Sequence, residues 1–366
     1  METINSLDFT VKTDELQKTQ FVEKTYSDEL AADQVILKIN KFSFTTNNIT
    51  YGVVGEQMNY WKFFPTQSGY GIIPVWGVAE VILSNHPEIQ VGQKYYGYYP
   101  MGHHLLVTAD KVSPRGFIDA SEHRQGLSAI YNYYSNTAQD PAFTPETEEY
   151  ISIFRPLFGT AFLINDFLAE HNFFDAKQIV IISASSKTAQ ALACLVAHHK
   201  SENQSDLNLI GLTSSRNKDF VDHLGWYDKV ISYDSVGEID PSNKTVIVDF
   251  AGNHQLQFEI QTLLGENLVY DCHVGFTDRN NLEGENSLPK KPEFFFAPGQ
   301  AEKRRKEWGS AIFQQNIGKA WQHFLKEIQS KVVIKEHAGK QGLEQLYFKM
   351  LNGEIDPQHG NIVSFK

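Results

Sequence analysis

The sequence predicts an α/β protein in two parts: a small β-barrel or sandwich in the first third and a doubly wound parallel sheet in the second half. A chain of 366 residues is longer than one hydrophobic core usually serves. From Val35 to Val112 it carries short β-rich runs punctuated by Gly and Pro, the texture of a compact barrel. From Gln178 onward, short apolar runs recur between helical or loop stretches, which is how strands covered on both faces read.

Taken in order, the barrel strands are expected at residues 35–39, 78–83, 94–99 and 104–108. Residues 118–172 read as helical, with a surface loop at 139–146 where Pro141 and Pro145 interrupt the pattern. The parallel strands are expected at 179–182, 208–212, 229–232, 245–249, 267–270 and 294–297, with a helix over 188–199 and a polar insertion at 278–292. A helix to about residue 330 and a strand-helix-strand run to Phe365 complete the chain, and no solenoid repeat is present.

Bulk properties exclude several classes. A net charge of -12 disfavours broad contact with nucleic acid or anionic lipid. The densest basic run, Lys303-Arg-Arg-Lys306, is flanked by Glu302 and Glu307 and reads as a solvated helix face. Cys194 and Cys272 are the only cysteines, so neither a disulfide framework nor a four-thiolate zinc site can be built from the chain, and a reducing cytoplasm is the default location. Residues 1–10 lack the features of a signal peptide, and no uncharged stretch approaches the twenty or so residues that span a bilayer.

The strand-turn-helix at 179–199 is where a doubly wound sheet receives a pyrophosphate, because a helix N-terminus presents free amides and a positive dipole end. Its turn reads Ser183-Ala-Ser-Ser-Lys-Thr-Ala189 and has no glycine. Hydroxyls of Ser185, Ser186 and Thr188 can donate to phosphate, and Lys187 adds a cation; equally, a serine here can simply cap the helix. A phosphate-loop nucleotidase fails because Ser186 and Ile181 stand where that motif needs glycines, and a Ser-x-x-Lys nucleophile fails at Ala184. After the second strand, Leu212-Thr-Ser-Ser-Arg-Asn217 offers Ser214 and Arg216 where an NAD site places an acidic residue, so a 2'-phosphate, and hence NADPH, is the better fit.

These residues resemble the medium-chain dehydrogenase/reductase superfamily, in its zinc-free, quinone-reductase-like form, and within it a bacterial branch described as a domain of unknown function. The resemblance runs nearly end to end through Tyr60-Trp-Lys-Phe-Phe-Pro65, Pro74-Val-Trp-Gly77, Tyr96-Gly-Tyr-Tyr-Pro-Met101, Arg155-Pro-Leu-Phe158, the serine-lysine turn and Phe294-Phe-Phe-Ala-Pro298. The superfamily frame is visible in Phe220-Val-Asp-His-Leu-Gly225, Tyr227-Asp-Lys-Val-Ile231, Val248-Asp-Phe-Ala-Gly252 and Gly360-Asn-Ile-Val363. It implies a GroES-like barrel domain with a helical insertion at 1–150, a Rossmann cofactor domain at 151–320 and a return to the barrel at 321–366. It further implies catalysis in the cleft between domains and, commonly, a homodimer paired through Rossmann-sheet edges.

Zinc-dependent members take a Cys from the first barrel loop, a later His and another Cys. Here that loop, Phe42-Ser-Phe-Thr-Thr-Asn-Asn-Ile-Thr-Tyr51, has neither Cys nor His, so no metal is expected. His103 and His104 are adjacent, and neighbours on a strand point apart. Thr46 lies where the superfamily puts a proton-relay hydroxyl, with Asn47, Asn48 and Tyr51 in the same turn; each is also a residue that loop structure uses. Tyr60, with Trp61, Phe63, Phe64, Tyr70 and Trp76, suits either a substrate wall with Tyr60 as proton donor or the barrel core. By the same analogy Thr160, Tyr233, Asp249, Phe250, Cys272 and His273 should line the dinucleotide crevice, with Ser183 in the turn itself. The function expected is an NADPH-dependent reductase of a carbonyl, enone or quinone-type small molecule. The alternative is a non-catalytic NADPH-binding sensor or interaction protein on the same fold.

Overall fold

The computed structural model describes residues 3–274 and 288–365, and the polar insertion expected at 278–292 lies mostly outside them. The chain divides into two units: Met1–Ile153 with Ile334–Ile355 and His359–Lys366, and Phe154–Val333 with Asp356–Gln358. The first contains β1 (Thr3–Lys12), β2 (Glu15–Ser27), β3 (Gln34–Ser43), α1 (Thr46–Val53), β4 (Tyr70–Gly71) and β5 (Val75–Ser84). It continues with β6 (Lys94–Tyr99), β7 (His104–Ser113), β8 (Gly116–Asp119) and β9 (Tyr133–Asn136). Helix α2 (Glu148–Glu170) leads to the second unit, which holds β10 (Gln178–Ile182), α3 (Lys187–Asn203), β11 (Asn208–Thr213), α4 (Lys218–His223), β12 (Lys229–Ser232) and β13 (Thr245–Asp249). There follow α5 (His254–Leu264), β14 (Leu268–His273), β15 (Glu293–Phe294), α6 (Ala297–Trp308) and α7 (Ser310–Ile328). The chain returns to the first unit from Ile334 through β16 (Val333–Ala338), α8 (Gly339–Leu351) and β17 (His359–Ser364).

In the first unit β3, β5, β6, β9, β8 and β7 pair in that order and β7 pairs back with β3, so six strands close into a barrel. Closure removes the free edges that an open sheet exposes. Along one edge β3 pairs with β7 over residues 34–38 and with β17 over 41–43; on the other, its register with β5 shifts between Ile39 and Lys41. Alternate residues Val35, Leu37 and Ile39 enter a core with Phe42, Phe44, Tyr98, Tyr99, Phe117 and Tyr134, to which α8 adds Leu343, Leu346, Tyr347 and Met350. Strand β9 and the last two residues of β8 lie in the stretch read as helical. They are held tertiarily: the fully buried Arg124 donates to Tyr131 O at 3.1 Å, Asn132 Oδ1 at 3.2 Å and Tyr134 Oη at 3.2 Å, and faces Asp119 at 3.4 Å. No local periodicity records such an anchor. Nothing in the sequence pattern singled out the hairpin β1–β2 either, whose second strand is mostly half-buried or exposed.

Helix α2 is long and apolar enough to cross a membrane by length and composition, but most of that stretch is buried in the protein, with Ile151, Phe154, Ile164 and Leu168 fully covered. Pro156 sits inside it and has no N–H to give Ser152. Ser43 Oγ donates to Ser152 O instead, at 2.7 Å.

The second unit carries a parallel sheet in the order β12-β11-β10-β13-β14-β15. Numbered from β10, that is 3-2-1-4-5-6, the doubly wound dinucleotide order. Val180, Ile182, Ile210, Leu212, Ile231 and Ile247 fill its core, and α3 buries small residues on nearly every side, Ala189, Ala191, Ala193 and Cys194 among them. Residues 294–297 differ from expectation, since the strand ends at Phe294 and Ala297 begins α6. Gly309, at φ +81, divides the long helix expected next into α6 and α7. The basic run is a correction too. Arg304 is 8% exposed, its Nε 2.6 Å from Asp166 and its other nitrogens 3.2 Å from Glu170 and 2.6 Å from Glu307, so it anchors α6 to α2 rather than facing solvent.

Candidate functional site

In a sheet of this order the crevice opens where the order reverses, at the carboxyl ends of β10 and β13. Here β10 ends at Ile182 and the chain turns through Ser183, which adopts φ +63, the left-handed conformation for which such a turn ordinarily employs glycine. Ala184 N donates to Leu212 O at 3.0 Å and Ser186 N to Ser183 O at 2.9 Å, which fixes the turn against the end of β11. Ser186 caps α3, its Oγ accepting from Ala189 N at 3.3 Å, and keeps a hydroxyl hydrogen to donate. Ser185 Oγ accepts from Thr213 Oγ1 at 3.3 Å and Asn217 Nδ2 at 3.1 Å, so two acceptor positions are filled and its own hydrogen is oriented elsewhere. Thr188 is half-buried in the first turn of α3. Neither Thr213 nor Asn217 stood out in the sequence, because their bonds to Ser185 span 28 and 32 residues.

Lys187 is also half-buried, and its Nζ donates to Pro357 O at 2.5 Å while lying 5.6 Å from the Phe154 ring centre. Burial pushes its pKa down to about 7, against the attraction of Asp356. At the end of β11, Ser214 Oγ is buried and has no hydrogen-bond partner, and Arg216 is exposed on the 3-10 turn Ser215–Asn217. An orphaned buried hydroxyl beside an exposed guanidinium fits a phosphate-bearing group at that point.

Tyr233 places its phenol against Ser183, with burial pushing it up to about 12. Asp249, 1% exposed, accepts from Ala251 N at 2.7 Å and Gly252 N at 3.1 Å; burial raises its pKa, opposed by those amides and by His273. Phe250 is buried and its N donates to Ile182 O at 3.4 Å, tying the ends of β13 and β10 together. Thr160 is half-buried on α2. Cys272 departs from the expectation: it is fully covered within the sheet, with burial pushing its thiol up, and it offers no surface to a crevice.

The first unit gathers a different set. Thr46 is exposed at the start of α1, with Oγ1 3.5 Å from Met350 Sδ. Asn48 is spent on structure, which corrects its assignment as a catalytic donor: Oδ1 accepts from Thr45 N at 2.7 Å and Thr45 Oγ1 at 3.0 Å, and Nδ2 donates to Pro74 O at 2.9 Å. Tyr51 is nearly buried and its hydroxyl lies among Asn47, Trp76 and Tyr131. Tyr60 packs on Tyr51 at 4.5 Å between ring centres and meets Tyr131 hydroxyl to hydroxyl at 3.3 Å. Burial raises all three phenols. Tyr131 went unread because its segment lacked a strand or loop signature. An open cavity of about 550 Å³ in this unit, lined by Lys38, Asn40, Lys41, Phe143 and Glu149 among others, contains none of the expected residues.

Over residues 42–356 the chain matches the family described as a protein of unknown function (DUF2855). The chain belongs to that family. No curated protein matches its sequence significantly. Among solved structures, this DUF2855 member is similar to CurA from Vibrio vulnificus in complex with NADPH, at 12% identity and TM-score 0.58 over 99% of each chain. It is similar to the yhdH oxidoreductase from Salmonella enterica in complex with NADP, at 14% identity and TM-score 0.55 over 99% of this chain and 100% of that one. The quinone oxidoreductase from Coxiella burnetii gives 13% identity and TM-score 0.53 with the same coverage. The fold is therefore that of the medium-chain dehydrogenase/reductases, a GroES-like barrel and a Rossmann sheet. Among the described residues of this DUF2855 chain no group of three or more His, Cys, Asp or Glu is placed to hold a metal ion. His103 and His104 keep their ring centres 6.2 Å apart at 80°, and burial presses His104 down to about 4.

Proposed function

We propose that this chain is a cytoplasmic, NADPH-dependent oxidoreductase that reduces a carbonyl, enone or quinone-type small molecule without catalytic zinc. The observation that carries the reading is the end of β11, where the buried, unpartnered Ser214 Oγ and the exposed Arg216 stand beside the serine turn at the head of α3. When bound, the nicotinamide nucleotide supplies the hydride. In this reading Ser185, Ser186 and Thr188 donate hydroxyl hydrogens to phosphate oxygens at a helix N-terminus already polarised for anions. Ser214 and Arg216 hold the 2'-phosphate, and the Ser183 turn lets the backbone approach closely. Asn47, Tyr51 and Tyr60 supply polar donors toward a substrate oxygen, with Tyr131 joined to their network.

The test is titration calorimetry of the whole protein with NADPH and NADH. Binding of NADPH in preference to NADH is expected, and Arg216→Ala should weaken NADPH by about 10- to 100-fold, the loss of one charge-assisted contact, while leaving NADH nearly unchanged. Equal loss for both nucleotides removes Arg216 from the 2'-phosphate site, and no binding of either overturns the reading. Binding with no oxidation of NADPH by any aldehyde, enone or quinone would favour the non-catalytic sensor, the reading that the glycine-free turn keeps in play.

A further inference from the structure

On β13 and β14, Asp249 and His273 are register partners at the carboxyl ends of adjacent parallel strands. Asp249 Oδ2 faces His273 Nδ1 at 3.9 Å. The carboxylate is held in place from behind by the amides of Ala251 and Gly252, and the imidazole side chain is 12% exposed against 1% for its partner. The pair is therefore a buried, backbone-anchored acid beside a less buried histidine at the carboxyl ends of the strands.

Its position has a direction. Strand order reverses between β10 and β13, and the adenosine half of a dinucleotide is read at the ends of β10 and β11. The second mononucleotide half, and with it the reacting ring, belongs over β13 and β14. Among the described residues, the titratable groups around the pair are Tyr233 beyond β12, Asp271 and Cys272 on β14, and Glu293 on β15. Burial pushes the Tyr233 phenol and the Cys272 thiol up, and Asp271 is buried between Gln257 and Gln261. Imidazole is the side chain most often used to pass a proton in such a place.

We propose that His273 is the proton donor of the reduction and that Asp249 is its positioning residue. This rests on the reductase reading above. The substrate gains a hydride, supplied by the reduced nicotinamide nucleotide, at its electrophilic carbon; the π electron pair moves onto oxygen. That oxygen takes the proton of the imidazolium N–H, whose bond breaks, and neutral His273 is reprotonated by water. Both electrons arrive with the hydride. Asp249 faces Nδ1 at 3.9 Å, longer than a hydrogen bond, and so acts on the ring by charge, favouring the imidazolium; the proton that leaves is assigned to Nε2, the nitrogen not turned to Asp249.

The experiment uses the full chain labelled with 15N-histidine. The imidazole titration of His273, assigned by its loss in His273→Gln, is followed by NMR with and without NADP+, alongside calorimetry of NADP+ binding. The midpoint is expected to fall in Asp249→Asn, which keeps an oxygen for the Ala251 and Gly252 amides, and to move when NADP+ binds. Failure of NADP+ to bind overturns the reductase reading and the proposal with it. NADP+ binding that leaves His273 unmoved, or a midpoint indifferent to Asp249→Asn, overturns the proposal alone. With cinnamaldehyde or another enal that oxidises NADPH, His273→Gln should lower kcat by about 10²- to 10⁴-fold, with KM little changed. An equal kcat in wild type and His273→Gln would also overturn it.

Discussion

Lys187 Nζ donates to the carbonyl oxygen of Pro357, 2.5 Å away, and so joins the first turn of α3 to the short segment that precedes β17. The ammonium is held where burial favours its neutral form, bringing its pKa down to about 7 from the ordinary 10.5. Between those two values the unfolded chain binds the proton and the folded chain does not, so this group makes stability rise with pH through that window. Wild type should therefore gain in melting temperature relative to Lys187→Met as pH is raised from 7 to 9.5. Two parallel melting profiles would show that the amine is not desolvated.

Ser183 bears a left-handed backbone, at φ +63, that costs a non-glycine residue about 1–2 kcal/mol. Ser183→Gly removes that cost but adds about 0.5–1 kcal/mol of backbone entropy, so its stability in urea should stay close to wild type or slightly exceed it. Ser183→Val, β-branched, should lose about 2 kcal/mol. A glycine variant much weaker than wild type would mean that the contact between Ser183 and the Tyr233 phenol outweighs the backbone geometry.

Arg304 contacts Asp166, Glu170 and Glu307 at once, and the first two are substantially buried. Arg304→Met leaves Asp166 with only Gln300 and Glu170 with Gln300 and Lys303, and should cost about 2 kcal/mol, read as a lower midpoint in guanidinium. Lys306→Met, which disrupts only an exposed i,i+4 pair with Glu302, should leave the midpoint nearly unchanged. Similar losses for the two would contradict the anchoring role given to Arg304.

The parallel sheet was legible because each strand is a short apolar run set off by polar or small residues: β12 and β13 begin and end where the pattern says. Strand β6 is equally plain, as Lys94-Tyr-Tyr-Gly-Tyr-Tyr99. What was not legible depends on partners distant in sequence. Strands β8 and β9 are four residues each and owe their place to Arg124. Tyr131 joins Tyr60 across 71 residues, and Ser185 meets Asn217 across 32. The serine turn could be located from its strand and helix, but the left-handed Ser183 and the capture of Lys187 by Pro357 follow from backbone path, which residue types alone leave open. Asn48 shows the converse: a polar residue in a suggestive loop proved to be the N3 member of the capping box that begins at Thr45, the N-cap of α1.

The pairing of β17 with β3 governs the order in which this protein can be made. A nascent chain emerges from its first residue, and domains tend to fold as they are completed. The sheet formed by β10 to β14 has all its strands once residue 273 is out. The barrel does not: α8 fills its core and β17 covers part of the edge of β3, so residues near 40 wait for partners more than 300 positions later. During synthesis the N-terminal strands are made long before the segments that fill and cover them, so the barrel is expected to form later than the sheet although it begins earlier in the chain.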